Sequence, residues 1–208
     1  MDFTSLTADK TTSGSIRRWV NHADVDADAV LEDAQGLVFQ TLRVREMRTV
    51  FADLAMLIGD SAKALPAGFL DPIRLTDKTN NIRLRLRGEE WMEDRRSYDN
   101  GSLTTGTPHD FAIYGEALQF DLAYEAAATL RLVGYKAPAV LSDAAKTNFL
   151  TARYPHILRA ACLARAFAYR NSDERAASEL QNLAAFIAKA NAESDLTYRG
   201  LEPENEVA

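Results

Sequence analysis

The sequence predicts an α+β protein, in which both ends of the chain form a mainly α-helical bundle and a small antiparallel β domain is inserted between them. Apolar residues recur every three or four positions near both ends of the 208-residue chain, as in amphipathic helices. In the middle, residues 82–87 alternate between apolar and basic side chains, which is typical of a strand. We expect the bundle in residues 1–45 and 140–195, the β domain in 46–139, and a flexible acidic tail in 196–208.

Two helices are expected before residue 46, after a polar start. Ile16, Trp19 and Val20 have the spacing of a short amphipathic helix. The next helix has acidic residues at its entrance, where carboxylates cap free amides and interact favourably with the helix dipole. These acids are Asp24, Asp26 and Asp28, and the apolar face that follows comprises Val30, Ala34, Leu37, Val38 and Leu42.

The same three aspartates have the spacing of the first ligands of a calcium-binding EF-hand loop. That loop needs glycine at its sixth position and a bidentate glutamate at its twelfth. Here those positions hold Ala29 and Gln35. The pattern therefore favours acidic residues at a helix N-terminus.

The segment 47–58 fits either a helix or a strand, since its apolar residues satisfy both periods. Strands are expected at 82–87, 111–114, 117–120 and 129–133, and Gly115-Glu116 has the length of a two-residue hairpin turn. A short helix is expected from Glu89 to Tyr98, with a loop at 100–102 and 104–108.

Past Pro138 the pattern becomes helical again. Ser142-Asp143 is expected to cap a short helix that runs through Leu150. Pro155 is expected at the first position of the next helix, where proline is favoured. Asn171 or Ser172 can cap the last helix. Its predicted apolar face consists of Ala176, Leu180, Leu183, Ile187 and Ala190.

Composition excludes several functional classes. The formal net charge of −6 argues against a protein that coats nucleic acid, and the longest apolar runs are far shorter than the roughly 20 residues of a membrane helix. The N-terminus shows no secretory signal, so we expect synthesis and retention in the cytoplasm. With one cysteine and three histidines, we expect no disulfide, metal or cofactor. Cys162 lies among apolar residues, where a thiol is a core side chain with a raised pKa.

A row of arginines is the best candidate for recognition. On a strand, Arg83, Arg85 and Arg87 point to one face. They form either a basic row directed at an acidic partner, such as another subunit, or a solvated face balanced by carboxylates on the next strand. The tail glutamates are further candidate contacts: Glu202, Glu204 and Glu206.

The order of the C-terminal segments resembles the tailed-bacteriophage head-to-tail adaptor family. The residues that carry the resemblance are 111–120, the strand that ends near Tyr135, Leu141-Ser142-Asp143, 147–150, Tyr154-Pro155, 160–169 and 171–176. Upstream, residues 16–21 and Leu65-Pro66-Ala67-Gly68-Phe69-Leu70 agree in position. Gly68 departs from the acidic residue that is frequent before the phenylalanine.

The resemblance implies a structural virion protein that is made in the bacterial host and is not an enzyme. Such adaptors form a ring, usually a dodecamer, that docks on the portal protein and supports tail or nozzle assembly. DNA passes through the centre of the ring without specific binding. The expected fold, a helical bundle with an inserted β domain, agrees with the order of elements.

Two alternatives stay open on the sequence alone. One is a small cytoplasmic α+β domain that binds a ligand or acts as an enzyme through residues such as His109, Tyr114 and Arg131. A deep pocket with converging polar groups would be its mark. The other is a phage stopper or tail-completion protein, which occupies a different ring of the same joint.

Overall fold

The computed structural model describes residues 1–96, 98–99 and 102–199, and the chain divides into two units. The helical unit comprises Met1–Met47 and the described residues after Lys136. The β unit comprises Arg48–Lys136. The mixed α+β class predicted from the sequence is confirmed. The finer description, a single bundle formed by both ends, stays a prediction.

The helices of the described residues have clear local causes. Asp26 caps the third helix by accepting hydrogen bonds from the backbone amides of Asp28 and Ala29, both at 3.2 Å, which confirms the expected role of acidic residues there. The helices are α1 (Phe3–Thr7), α2 (Ile16–Trp19), α3 (Ala27–Thr41), a 3-10 helix (Arg45–Met47), α4 (Glu89–Arg95, in the β unit), α5 (Phe149–Arg153), α6 (Pro155–Tyr169) and α7 (Asp173–Arg199). Helix α1 lies in the segment that the sequence analysis treated as a polar start.

The start predicted for the short helix after Pro138 was wrong. Asn148 caps α5, accepting from the amides of Leu150 and Thr151, whereas Ser142 and Asp143 lie outside any helix. The Asn148–Thr151 pair forms a reciprocal capping box, which fixes the start at Phe149. Pro155 is the first residue of α6, as predicted.

The last helix is longer than predicted, and one residue of its predicted apolar face is not buried. Helix α7 continues to Arg199, so residues 196–199, which were assigned to the tail, are helical. Residues 200–208, including Glu202, Glu204 and Glu206, lie outside the described residues. Leu180 is 44% exposed, although the rest of the predicted face is buried. Helix α6, which packs against α7, leaves Leu180 uncovered.

Helix α6 packs against both α3 and α7. Most of its buried side chains are small, which lets neighbouring helix backbones approach closely. They are Ile157, Leu158, Ala160, Ala161, Cys162, Ala164 and Ala166. Cys162 is fully buried, and burial raises the pKa of its thiol to about 12, so it behaves as the core residue that the sequence predicts.

Hydrogen bonds also join the two ends of the chain within the helical unit. The buried Gln35 side chain accepts from the backbone amide of Leu141 at 2.7 Å, which explains why this position serves packing rather than calcium binding. The backbone amide of Arg43 donates to Asn191 Oδ1 at 2.8 Å, and that of Arg45 donates to Ser194 Oγ at 2.9 Å. These bonds fasten the exit of α3 to α7.

The β unit contains one large sheet and two small ones among the described residues. Its strands are β1 (Arg48–Val50), β2 (Leu54–Met56), β3 (Ala62–Ala64), β4 (Phe69–Asp77), β5 (Ile82–Leu86), β6 (Tyr98–Asp99), β7 (Ser102–Leu103), β8 (Thr105–Gly106), β9 (Asp110–Tyr114), β10 (Ala117–Phe120), β11 (Ala123–Tyr124) and β12 (Ala128–Lys136). The large sheet has the order β1-β12-β4-β5-β9-β10-β3, with β2 also pairing with β12.

The strands settle the ambiguity of segment 47–58, which forms β1 and β2 rather than a helix. The β9–β10 hairpin with its two-residue turn is confirmed. The helix predicted from Glu89 to Tyr98 ends at Arg95, since Tyr98 belongs to β6. The predicted loop contains β7 and β8 in its described part.

The sheet is not wholly antiparallel, contrary to the prediction. Strand β5 pairs in parallel with β9, Arg85 opposite Asp110, and β8 pairs in parallel with β11. Parallel neighbours need a long crossover connection, and the chain between β5 and β9 supplies one that includes α4. Alternation in the sequence identifies a strand such as β5, but it does not identify the strand with which the chain pairs after the crossover.

The buried face of the sheet forms the core of the β unit. Its fully or nearly buried side chains include Leu75, Leu84, Phe111, Leu118, Phe120, Leu130 and Leu132. Gly134 lies where β12 approaches β4 closely, at a register shift. A Cβ atom there would stand 2.6 Å from the carbonyl oxygen of Asp71.

We therefore expect Gly134→Ala to lower the free energy of unfolding by about 1–3 kcal/mol, because backbone must move to relieve the overlap. Urea unfolding followed by circular dichroism measures the change. Gly36→Ala is the matched control, since a Cβ on that helical glycine meets no atom within 4 Å. The control is expected to be neutral or stabilising. Equal stability of the two variants would contradict the expected overlap.

Candidate partner-binding surface

The outer face of the large sheet carries a cluster of exposed arginines. Strand register places Arg131 of β12 beside Thr76 of β4, and Thr76 beside Arg83 of β5. Paired residues on adjacent strands share one face of a sheet, and so do residues two apart on one strand. Arg74 and Arg85 therefore lie on this face as well. We call Arg74, Arg83, Arg85 and Arg131 the arginine face.

All four residues of the arginine face are exposed, while the residues between them point inward. Leu75, Leu84 and Leu132 are at most 3% exposed. The alternation of apolar and basic residues on β5 thus separates buried from exposed side chains, as predicted. Leu86, at the end of the strand, is the exception, because it is 53% exposed. None of the four arginines forms an ion pair or a side-chain hydrogen bond with any residue that the structure describes.

A groove opens within the arginine face. The pairing of β4 with β5 ends at Leu75 and Leu84, since β5 then turns to β9, where the amide of Arg85 donates to the carbonyl of His109 at 2.9 Å. The separated strands leave a groove of about 550 Å³. Arg74, Arg83 and Arg85 line it together with apolar residues: Pro72, Ile73, Leu75, Leu84, Leu86 and Phe111.

Arg87 differs from the other arginines of the predicted row. It lies just beyond β5, and its Nε atom is 2.7 Å from Asp110 Oδ1 on β9. Its guanidinium also stacks over the ring of Trp91, 4.7 Å from the centroid. Arg87 thus has the neighbouring-strand carboxylate that one of the two interpretations expects, whereas Arg83 and Arg85 have none among the described residues.

Arg74 and Arg131 join Arg83 and Arg85 only through strand register. Arg74 was not predicted as a site residue, and Arg131 was predicted only as part of the alternative ligand site. In the sequence, alternation within the run 129–133 indicated that Arg131 points outward. It did not indicate which strand lies beside β12, because alternation assigns a residue to a face and does not identify the neighbouring strand.

The residues of the alternative ligand site do not converge. His109 precedes β9 and Tyr114 ends it, where the Tyr114 hydroxyl donates to the Glu89 carbonyl at 2.9 Å. Arg131 lies on β12, which two strands separate from β9. Three strand spacings amount to about 14 Å.

We expect Arg87→Ala to lower the free energy of unfolding of the protein by about 1 kcal/mol, because it removes a charged hydrogen bond and leaves the mostly buried Asp110 without this partner. Arg85→Ala, two residues earlier in β5, is the matched control and should change stability by less than about 0.5 kcal/mol. Urea unfolding compares the two. A larger loss for Arg85→Ala would show that the arginine face contributes to folding of the unit itself.

A second charged cluster lies at the junction of the 3-10 helix, α5 and α7. Glu46 receives hydrogen bonds from the side chains of Arg153 and Arg45, the latter at 3.4 Å. Burial by itself would raise the pKa of Glu46, but its backbone hydrogen bond and the two arginines hold the pKa below its usual range. The cluster secures the end of the N-terminal segment within the helical unit.

A group with a lowered pKa stabilises the folded state above its ordinary pKa, which is 4.5 for this carboxyl, and loses that contribution as the pH falls through the lowered value. We expect Glu46→Gln to reduce the free energy of unfolding by about 1 kcal/mol at pH 7 and by less at pH 3. Urea unfolding at both pH values tests this. Glu32→Gln, an exposed residue of α3, is the control; a pH-independent effect at Glu46 would contradict the expectation.

Neither a metal site nor a membrane-spanning helix is found among the described residues. No three of their His, Cys, Asp and Glu side chains cluster as a metal site. The described helices include none with the length and apolar character needed to cross a bilayer.

Comparison with known families identifies the group. The model of the SU10 adaptor protein family matches residues 7–203, so the chain belongs to that family of phage head-to-tail adaptors. The resemblance stated from the sequence is thereby confirmed. No curated protein matches the chain significantly. The family indicates a structural adaptor of the phage particle that associates with portal and tail proteins.

Proposed function

We propose that the protein forms a closed ring that docks on the portal and provides the platform for tail or nozzle proteins, with DNA passing through its centre. The match of residues 7–203 to the adaptor family is the observation that supports this most strongly. We further propose a dodecamer, made in the host cytoplasm and incorporated at the head–tail joint. The protein acts mechanically and is not an enzyme.

The two units suit different contacts in such a ring. In this proposal, helices from both ends of the chain form one bundle that contacts the portal and neighbouring subunits, and the β unit contacts tail proteins. A ring requires two different, complementary faces on each subunit. The exposed arginine face and the acidic tail offer opposite charges for such a contact, with Arg83 and Arg85 as the available members of the predicted row.

The charge of the chain supports passage of DNA without attachment. Proteins that hold DNA neutralise phosphates with a basic excess, and this chain carries 24 basic against 30 acidic residues. We therefore place the arginine face away from the central channel, at a protein contact.

Native mass spectrometry of the chain, alone and mixed with the portal protein of the same genome, tests the proposal. We expect subunits to add to the portal in one fixed multiple and to stay bound at moderate salt, because an adaptor interface is not purely electrostatic. A mixture with an unrelated portal is the control. A chain that stays monomeric and does not bind its own portal would contradict the proposal.

A further inference from the structure

The arginine face is an unusual feature of an acidic protein. Its four exposed arginines lie on three adjacent strands, with Arg131 and Arg83 separated by the single residue Thr76. At the usual strand spacing these two arginines are about 10 Å apart. Like charges on adjacent strands repel, and within the described residues no carboxylate pairs with them. The face is therefore suited to an anionic partner.

We propose that the acidic C-terminal segment of a second copy of this chain, residues 201–207, binds the arginine face. This inference rests on the proposed ring, in which each subunit presents one face to the next. It identifies the segment and the surface that would meet at one of those contacts.

Charge and spacing support this occupant. The segment 200–208 contains Glu202, Glu204 and Glu206 and no lysine or arginine. In an extended peptide, side chains at alternate positions lie on one side about 6.6–7 Å apart, as Arg83 and Arg85 do on β5. Carboxylates at this period can meet successive guanidiniums, which bind them in a bidentate manner.

The groove between β4 and β5 supports the same occupant. Its lining combines apolar residues such as Ile73, Leu86 and Phe111 with Arg74, Arg83 and Arg85. The glutamates of the segment are flanked by two apolar residues, Leu201 and Val207. A peptide with acidic side chains and apolar ends matches a groove that is lined by both arginines and apolar residues.

DNA is the competing anion, and the surface fits it less well. On a chain with a formal net charge of −6, four arginines are expected to give only a weak attachment to DNA, which salt removes. The apolar residues that line the groove have no counterpart in a phosphate backbone.

Cysteine cross-linking tests the contact directly. The natural Cys162 is buried and its thiol has a raised pKa, so introduced cysteines are the reactive ones. We mix a chain carrying Arg83→Cys with a chain carrying Glu204→Cys on the portal and expose them to a mild oxidant. We expect a disulfide between the two different chains, at least tenfold above that of a mixture in which Arg165→Cys, an exposed position of α6, replaces Arg83→Cys.

Two cross-linking results would overturn the proposal. One is a yield no higher than that of the control. The other is a disulfide that forms within a chain carrying both substitutions but not between different chains, which would place the segment on the arginine face of its own subunit.

Charge exchange tests whether the contact contributes to assembly. R83E/R85E should weaken assembly at least tenfold, and so should E202K/E204K/E206K, while a chain carrying both sets should recover most of the loss. Circular dichroism confirms that each variant is folded. Failure of the combined chain to recover would overturn the proposal.

A DNA measurement separates the competing partner. Fluorescence anisotropy of a short duplex should show no binding that depends on Arg83 and Arg85. Binding that R83E/R85E abolishes and that E202K/E204K/E206K leaves unchanged would assign the face to DNA instead.

These outcomes distinguish failure of the inference from failure of the proposed function. Unaltered assembly of both charge-reversed chains on the portal would support the ring and refute this contact. If the natural chain does not assemble on the portal, the proposed function fails. The contact is then tested by cross-linking free chains in solution, where a yield no higher than the control, or a disulfide that forms only within one chain, would overturn it.

Discussion

Close packing around α6 is the constraint on which the helical unit depends. This helix contacts α3, from the N-terminal part of the chain, and α7, from the C-terminal part. Its alanines and Cys162 keep the contact surfaces shallow, so that two helices can approach it. A larger side chain at a fully buried position such as Ala161 would have to displace a neighbouring helix, because protein interiors contain few voids.

In the β unit, strand β12 is the central element, as α6 is in the helical unit, because other strands pair with it on both sides. It pairs with β1 and β2 on one side and with β4 on the other, and Gly134 permits the close approach at its register shift. Strand β5 begins beside β4 and ends beside β9. This change of partner opens the groove and leaves Arg74 and Arg85 at its sides, so the candidate surface follows directly from the sheet topology.

The distribution of charge separates structural from recognition roles. Glu46 and Arg87 each have a charged partner within their own unit, and these pairs hold local structure together. The arginine face has no such partner among the described residues, although the chain as a whole is acidic. Membership of the adaptor family explains why a surface, rather than a pocket, carries the function proposed for this protein.

The sequence by itself determined the class of fold and the positions of four of the eight strands of the large sheet, because local periodicity and turn residues encode them. The order of its segments also indicated the family. Strict alternation located β5, and the two-residue turn located the β9–β10 hairpin. Helix ends were less certain, since Asn148 and Ser142 are both good caps and only one begins a helix. Only the tertiary structure decided that β5 joins β9 in parallel, that Leu180 stays exposed, and that Arg74 and Arg131 lie beside Arg83 and Arg85. The physical reason is that strand pairing and helix packing are long-range choices. Periodicity specifies which face of an element is buried, but it does not specify the element that covers it.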